Sequence, residues 1–292
     1  MTEAILYKKL TNGKVQCCCC SHFCLIAPDN FGQCGVRQNQ GGKLKSLNYG
    51  KVIAEHLDPI EKKPLYHYLP KTLTYSLACV GCNFSCLNCQ NYDISQVDGQ
   101  LLKINEGLPT TQPTEIIQRA LQAQCPSISY TYTEPTVFAE FALDCMRLAK
   151  EKNLKNIWVS NGFMSQALLE LILPYLDAAN IDLKFFTEKN YQKICGGKLA
   201  PVLANLIWLK KHSVHLEITT LIIPTLNDSE TELKNIAEFI CQKLGAETPW
   251  HISAYYPTYR LTEFPPTTQK SIGQAQAIGL SSGLKYVYPS PL

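Results

Sequence analysis

Apolar and polar residues alternate along Thr72-Leu-Thr-Tyr-Ser-Leu-Ala, the pattern of a strand with one covered face. Short segments rich in β-branched or aromatic residues recur at Ser127–Tyr132, Asn156–Ser160, Ile181–Lys184, Leu216–Ile223 and Trp250–Ala254, and a last one runs through Tyr286-Val-Tyr. Between them, apolar spacing of three and four predicts helices. One starts at Thr114 as its cap, and others cover Val137–Lys150, Ser165–Tyr175, Leu199–Lys211, Ser229–Lys243 and Gln269–Leu280. Strand and helix alternate about six times over roughly 210 residues, which indicates a parallel sheet with covering helices. Six units fall short of the eight of a complete barrel. The expected class is therefore α/β, an open partial (β/α)6 TIM-like barrel rather than a flat doubly wound sheet. No Gly-x-Gly-x-x-Gly follows a strand, which removes the usual dinucleotide signature. Residues 1–70 lack clean periodicity and carry turn formers such as Pro28-Asp29-Asn30 and Gly41-Gly42. They are expected to form an N-terminal cysteine-rich cap, with the barrel over 71–292.

Composition narrows the class. The 292 residues are 46% hydrophobic and 17% charged, which excludes wholesale disorder. The net charge is only +3, far from the concentrated basic charge of a nucleic-acid binder. No run approaches the ~20 apolar residues of a membrane helix. The best, Ala167–Leu176, is interrupted by Glu170 and Pro174. The opening Met1–Lys9 is too weakly apolar for a signal peptide, so the cytoplasm is the expected compartment. Cysteine changes the picture most. There are 14, ten of them in two groups within the first 89 residues. Clustered thiols in a reducing compartment point to metal.

The second group reads Cys79-Val-Gly-Cys-Asn-Phe-Ser-Cys-Leu-Asn-Cys89, with Cys82-x3-Cys86-x2-Cys89 as its core just beyond the first predicted strand. Three thiolates on one tight loop can hold three corners of an iron–sulfur cubane and leave the fourth iron open to a small molecule. A zinc ribbon separates its cysteine pairs by ~15–20 residues, and a bacterial ferredoxin run is spaced differently. A closed cluster that also uses Cys79 is the competing arrangement.

The spacing at Cys82, Cys86 and Cys89 resembles the radical S-adenosylmethionine (SAM) motif. Gly81-Cys-Asn-Phe-Ser-Cys-Leu-Asn-Cys-Gln-Asn91 is similar to the AmmeMemoRadiSam-system branch, relatives of the pyruvate formate-lyase activating enzymes. The resemblance continues through His56-Leu-Asp-Pro-Ile-Glu-Lys-Lys-Pro-Leu-Tyr-His67, Tyr130-Thr-Tyr-Thr-Glu-Pro135, Val159-Ser-Asn-Gly162, Ala179-Asn-Ile-Asp-Leu-Lys184, Thr219-Thr-Leu-Ile-Ile-Pro224 with Asn227-Asp228, and Pro249-Trp-His251. Asn88 departs from it where an aromatic residue is common, and Thr225 where the branch usually has Gly. The resemblance implies a [4Fe–4S] cluster whose open iron chelates SAM, reductive cleavage to a 5′-deoxyadenosyl radical, and hydrogen abstraction from a substrate that no residue names. It further implies a flavodoxin- or ferredoxin-like electron donor, and association with Memo-like and AMMECR-like proteins.

Polar residues at predicted strand ends are the candidate SAM contacts. Asp182 and Lys184 are two apart and share a strand face where a buried parallel strand is normally apolar. The resemblance puts them at the ribose and methionyl part of SAM; an interior salt bridge is the alternative. Glu134 stands where the superfamily contacts the SAM amine, or else it caps the next helix. Ser160 and Asn161 end a strand as a SAM contact or a plain turn. His251 resembles a histidine near the adenine, with a satisfied core histidine as its alternative. His212 and His215 read as surface or packing residues.

The first group, Cys17-Cys-Cys-Cys-Ser-His-Phe-Cys24 followed by Cys34, matches the branch's spacing at Cys17, Cys20, Cys24 and Cys34. Four thiolates suit zinc or a closed second iron–sulfur cluster, and His22 is a candidate replacement for one of them. The alternative is a set of unligated buried thiols. The expected protein is a radical SAM enzyme. A glycyl-radical activase, or an iron–sulfur carrier or scaffold without SAM chemistry, is the rival.

Overall fold

The computed structural model describes residues 2–290. Among them the largest sheet has eight strands in chain order: β1 (Val52–Pro59), β2 (Leu73–Cys79), β3 (Ser127–Tyr130), β4 (Lys155–Ser160), β5 (Ala178–Asp182), β6 (His215–Ile222), β7 (Trp250–Ala254) and β8 (Val287–Pro289). β1 is antiparallel to β2, and every later pair is parallel. Strand order equal to chain order, with right-handed helical crossovers, curls a sheet into a barrel instead of covering it from both sides. His67, just after β1, has Nε2 2.7 Å from the Tyr288 hydroxyl on β8. Among the described residues those two strands do not pair, and the segment after β1 reaches the middle of the sheet, the Pro64 carbonyl accepting from the Asn180 amide at 2.8 Å and the Tyr66 N–H donating to Glu217 at 3.0 Å.

The helices between the strands are α1 (Gly99–Gly107), α2 (Pro113–Gln122), α3 (Ala139–Glu151), α4 (Gln166–Ile172), α5 (Leu199–Lys211), α6 (Glu230–Phe239) and α7 (Gln269–Ser281). Ser165, Ser229 and Thr268 each accept the N–H three residues on and so fix where α4, α6 and α7 begin. Thr114 does not cap α2. Pro113 takes the first helical position, its fixed φ suited to it, and Glu115 reaches back to the Gln112 N–H at 2.7 Å. α7 lies so close to Trp250 that a Cβ on Gly279 would stand 3.0 Å from the indole.

Other differences from the sequence reading have local causes. β5 starts at Ala178, and Lys184 lies past its end. Ala178, Ala179 and Asn180 have poor strand propensity, but they pair with β4 on one side and β6 on the other. β1 and α1 have no clear periodicity in the chain. β1 is an edge strand with an irregular register near Val52, half-exposed over its first residues.

The N-terminal residues form two small antiparallel sheets. One joins Thr2–Glu3, Lys43–Ser46 and Arg37–Gln40; the other joins Tyr7–Lys9, Val15–Cys17 and Leu25–Ile26. Ala4, Val15, Val36 and Leu44 belong to the same continuous core as Phe138 and Phe163 of the barrel. The division expected near residue 70 falls in the connection between β1 and β2, and β1 already belongs to the barrel sheet.

Candidate active site

The carboxyl ends of the parallel strands surround a cavity of about 480 Å3. Cys82, Cys86 and Cys89 line it from the loop after β2, Glu134 from the loop after β3, Ser160 and Asn161 from the end of β4, and Asp182 and Lys184 from the end of β5. A barrel collects chemistry at this end because each loop that follows a strand can contribute one group. Eight of the nine barrel residues singled out from the sequence meet here.

The cysteine loop is held from several sides. The N–H groups of Ser85 and Leu87 donate to the carbonyls of Cys195 and Ile194, both at 2.9 Å, and the Arg260 N–H donates to the Leu87 carbonyl. Phe84 plugs the loop into the core beside Phe163, ring centroids 5.1 Å apart. It packs so closely that a Cβ on Gly197 would stand 2.3 Å from its ring. Gly81 enters the loop at φ +106°, where a Cβ would meet Val36 at 2.9 Å. The Phe84 N–H donates to the Cys82 sulfur at 3.3 Å, and the Cys89 sulfur lies 3.1 Å from the Ser95 hydroxyl. Cys79 does not join them. It is fully buried outside the cavity lining, in the field of Cys145.

The thiols are electrostatically unequal. Burial pushes Cys82 and Cys89 up, with the Glu134 carboxylate adding to the rise at Cys82. Cys86 goes the other way: a hydrogen bond with the buried Cys195 thiol holds it below its usual range, and Lys184 adds to that. Burial alone would lower Lys184, but Asp182 and the neighbouring sulfurs raise it well above its ordinary value. Its Nζ lies 2.6 Å from Asp182 Oδ2, so the pair is a salt bridge on the cavity wall. Asn227 fixes the backbone there. Its amide donates to the carbonyls of Lys184 and Leu221 at 2.9 and 2.8 Å, while its Oδ1 accepts from the Ile223 N–H. The turn that brings Asn227 round holds Thr225 at φ +68°, the left-handed region that favours glycine.

Glu134 is buried and heavily engaged. It accepts the Thr136 N–H and hydroxyl at 3.1 and 2.6 Å, the Ser160 hydroxyl at 2.8 Å and the Asn161 N–H at 2.8 Å. It therefore caps the short helix Pro135–Phe138 and ties the β4 turn to the β3 loop. Burial still raises its pKa despite those bonds. Asn161 passes the link onward, donating to Asn83 Oδ1 at 2.7 Å beside Cys82.

His251 is not brought to the cavity. Its Nε2 lies 2.6 Å from Glu217 Oε2, one layer beneath the rim, and its ring packs edge-on against Tyr66. Glu217 is fully buried. It also accepts the N–H groups of Tyr66 and His67, and His215 Nε2 lies 2.9 Å away. These partners outweigh burial and hold its carboxyl at about 2. His251 is thus hydrogen-bonded to a buried carboxylate and is not among the residues that line the cavity.

Sequence reasoning assigned no role to two features. Cys195 had no motif to mark it. Asp58, Lys63 and Tyr132 form a cluster at the rim, with Lys63 Nζ 2.7 Å from Asp58 and 4.1 Å over the Tyr132 ring, and the Tyr132 hydroxyl bonded to Asp58. The charged run around Asp58-Pro-Ile-Glu-Lys-Lys was the available signal.

Known proteins resemble this chain in sequence and in fold. The family model of the radical SAM superfamily matches residues 77–240. An uncharacterised protein of Methanocaldococcus jannaschii is 42% identical over 288 residues, covering 99% of this chain and 84% of its own. The (2S)-3-sulfopropanediol dehydratase activating enzyme of Klebsiella oxytoca is 25% identical over 117 residues, 39% of this chain and 36% of that one. Among solved structures, a radical SAM methyltransferase from Sphaerobacter thermophilus shares the fold with a TM-score of 0.57 at 14% identity, over 76% of this chain and 67% of that one.

Proposed function

The chain belongs to the radical SAM superfamily, and from that premise we propose that Cys82, Cys86 and Cys89 are the thiolates that hold its [4Fe–4S] cluster, leaving the fourth iron to SAM. The supporting observation is that these three sulfurs, and not Cys79, line the cavity at the barrel mouth. Three thiolates on three irons need not converge on one point as the ligands of a single ion do. The protein is an enzyme of the radical SAM type. When bound, the cluster supplies one electron to the SAM sulfonium, giving methionine and a 5′-deoxyadenosyl radical that takes a hydrogen atom from the substrate.

The chain's own residues bind and orient SAM. Its methionyl end carries one ammonium and one carboxylate, and Asp182 and Lys184 offer the opposite charges side by side. Lys184 also favours the charged form of Cys86. Ser160 and Asn161 offer polar groups on the adjoining wall. Glu134 already accepts four hydrogen bonds, so we assign it as a positioning residue that acts through Ser160 and Asn161. Loops from successive strands enclose the radical and keep bulk water from it.

The enzyme uses a reduced electron donor. On our reading it is flavodoxin- or ferredoxin-like and works in the cytoplasm; among the described residues no helix is long and apolar enough to cross a membrane. Association with Memo-like and AMMECR-like proteins is carried by the sequence resemblance alone. The likeness to an activating enzyme favours, as a second reading, hydrogen abstraction from a glycine of a partner protein.

The test is deoxyadenosine formation after anaerobic reconstitution with iron, sulfide, SAM and a strong chemical reductant. Cys82→Ala is expected to abolish it and Cys79→Ala to retain it. Loss of both product and barrel iron in Cys79→Ala would replace the open cluster with a closed one.

A further inference from the structure

Each of the three sulfurs of the barrel loop has a hydrogen-bond donor beside it, and one of these donors comes from far along the chain. Cys82 accepts the Phe84 N–H at 3.3 Å, and Cys89 lies 3.1 Å from the Ser95 hydroxyl. Both of those groups belong to the loop or to the turn that follows it. Cys86 is bonded instead to the thiol of Cys195, a residue between β5 and α5. A buried cysteine can serve as a small apolar side chain and nothing more. The setting of Cys195 is more particular.

Cys195 ends the helical turn Tyr191–Cys195, and this turn is docked on the cysteine loop by its backbone. The Cys195 carbonyl accepts the Ser85 N–H, and the Ile194 carbonyl accepts the Leu87 N–H, both at 2.9 Å. Cys86 therefore sits between two main-chain bonds to its partner's own segment. Gly196 follows at φ +71°, where a Cβ would stand 2.3 Å from the Ser85 Oγ. The start of the turn is fixed at the SAM-facing end of β5. There the Tyr191 hydroxyl accepts the Lys184 N–H at 3.2 Å and donates to the Asp182 carbonyl at 3.5 Å. Tyr191 and Cys195 are both fully buried. Cys195 is absent from the cavity lining, so it reaches that space only through Cys86.

Two thiolates side by side in a buried site repel, so one of the pair keeps its proton. With Cys86 on an iron, the proton stays on Cys195 and its S–H points at a charged sulfur, the acceptor that makes a weak donor worthwhile. Hydrogen bonds to the sulfurs are among the factors that set the potential of an iron–sulfur cluster. A donor stabilises the more negative, reduced cluster over the oxidised one. Resting on the reading of Cys82, Cys86 and Cys89 as the ligands, we propose that Cys195 is a positioning residue of the cluster: its S–H donates to the Cys86 sulfur and raises the reduction potential. Cys195 is a donor in this arrangement and not a fourth ligand.

The test measures the cluster itself. Cys195→Ala, reconstituted anaerobically with iron and sulfide, is expected to hold as much iron and acid-labile sulfide as the wild type. The midpoint potential of its SAM-responsive paramagnetic signal, titrated before SAM is added, should move to a more negative value. Cys195→Ser puts a donor back and should return the potential to the wild-type value or above it. A potential that is unchanged or more positive in Cys195→Ala overturns the proposal. So does loss of iron from the folded variant, which would make Cys195 a ligand. Should Cys195→Ala fail to fold, Cys195→Val fills the space without a donor and is read in the same way. Where neither folds, Cys195→Ser decides alone, because an intact cluster with a potential below the wild type overturns the proposal. Failure of the barrel reading shows differently, as the absence of any SAM-responsive signal in the wild-type protein.

Discussion

The barrel loop and the cap carry the same residue type on either side of Asn83, but their surroundings differ. In the barrel, Cys82, Cys86 and Cys89 open onto a cavity of about 480 Å3 walled by charged and polar strand ends. In the cap, five sulfurs line a space of about 10 Å3 that the buried Arg37 guanidinium also lines. Spacing decides whether cysteines can share a metal centre. The number of sulfurs and the space beside them decide whether that centre can also bind a small molecule.

The sharpest way to break this contrast is to remove one barrel sulfur. Cys86→Ala should reduce deoxyadenosine formation to background, with chromatographic quantification as the readout. Next in size is the fourfold variant Cys17→Ser, Cys20→Ser, Cys24→Ser, Cys34→Ser. Three of these sulfurs are buried in the core of the cap, so the variant's melting temperature should fall by on the order of 10 °C in calorimetry. SAM cleavage with a chemical reductant should survive, because no cap sulfur reaches the barrel cavity.

Two carboxylates one layer apart sharpen the boundary of the barrel site. Asp182→Ala, at the rim, should weaken SAM binding by about 10- to 100-fold in equilibrium titration, the loss of one hydrogen bond to a charged group, with iron content unchanged. Glu217→Gln, beneath it, should leave SAM affinity alone and alter acid stability. The folded carboxyl of Glu217 titrates near 2, below its ordinary 4.5. It therefore contributes stability above about pH 4.5 that disappears as pH falls toward 2. The Gln variant should be less stable at neutral pH by a few kcal/mol and lack that part of the acid dependence in denaturant titrations at a series of pH values. The smallest effect belongs to Cys79→Ala. A single thiol lost from the core should cost about 1–2 kcal/mol and leave cluster absorption and SAM cleavage intact.

Much of this was written into the chain. Strand and helix alternation specified the barrel because periods of two and 3.6 register which faces are covered. Cys82-x3-Cys86-x2-Cys89 specified the loop because three sulfurs on one tight turn are a local arrangement. Asp182 was legible as a charge where an apolar residue was expected. β1 was not, because an edge strand is selected by the partner it pairs with. His251 was ambiguous because a histidine on a strand reads alike whether a ligand or a buried carboxylate claims it.

By itself, then, the sequence determined the class of fold, the two cysteine groups and the strand-end polar residues, all properties of spacing along one backbone. Tertiary structure decided which sulfurs face which space, turning Cys79 into the core and placing Cys195 against Cys86. It decided that Glu134 is bonded to Ser160 and Asn161, and that Glu217 is bonded to His251 outside the cavity lining. It also brought Arg37 to the cap thiols. Each of these depends on contacts between residues far apart in the chain, whose meeting is set by how helices, sheet and cap pack into one core.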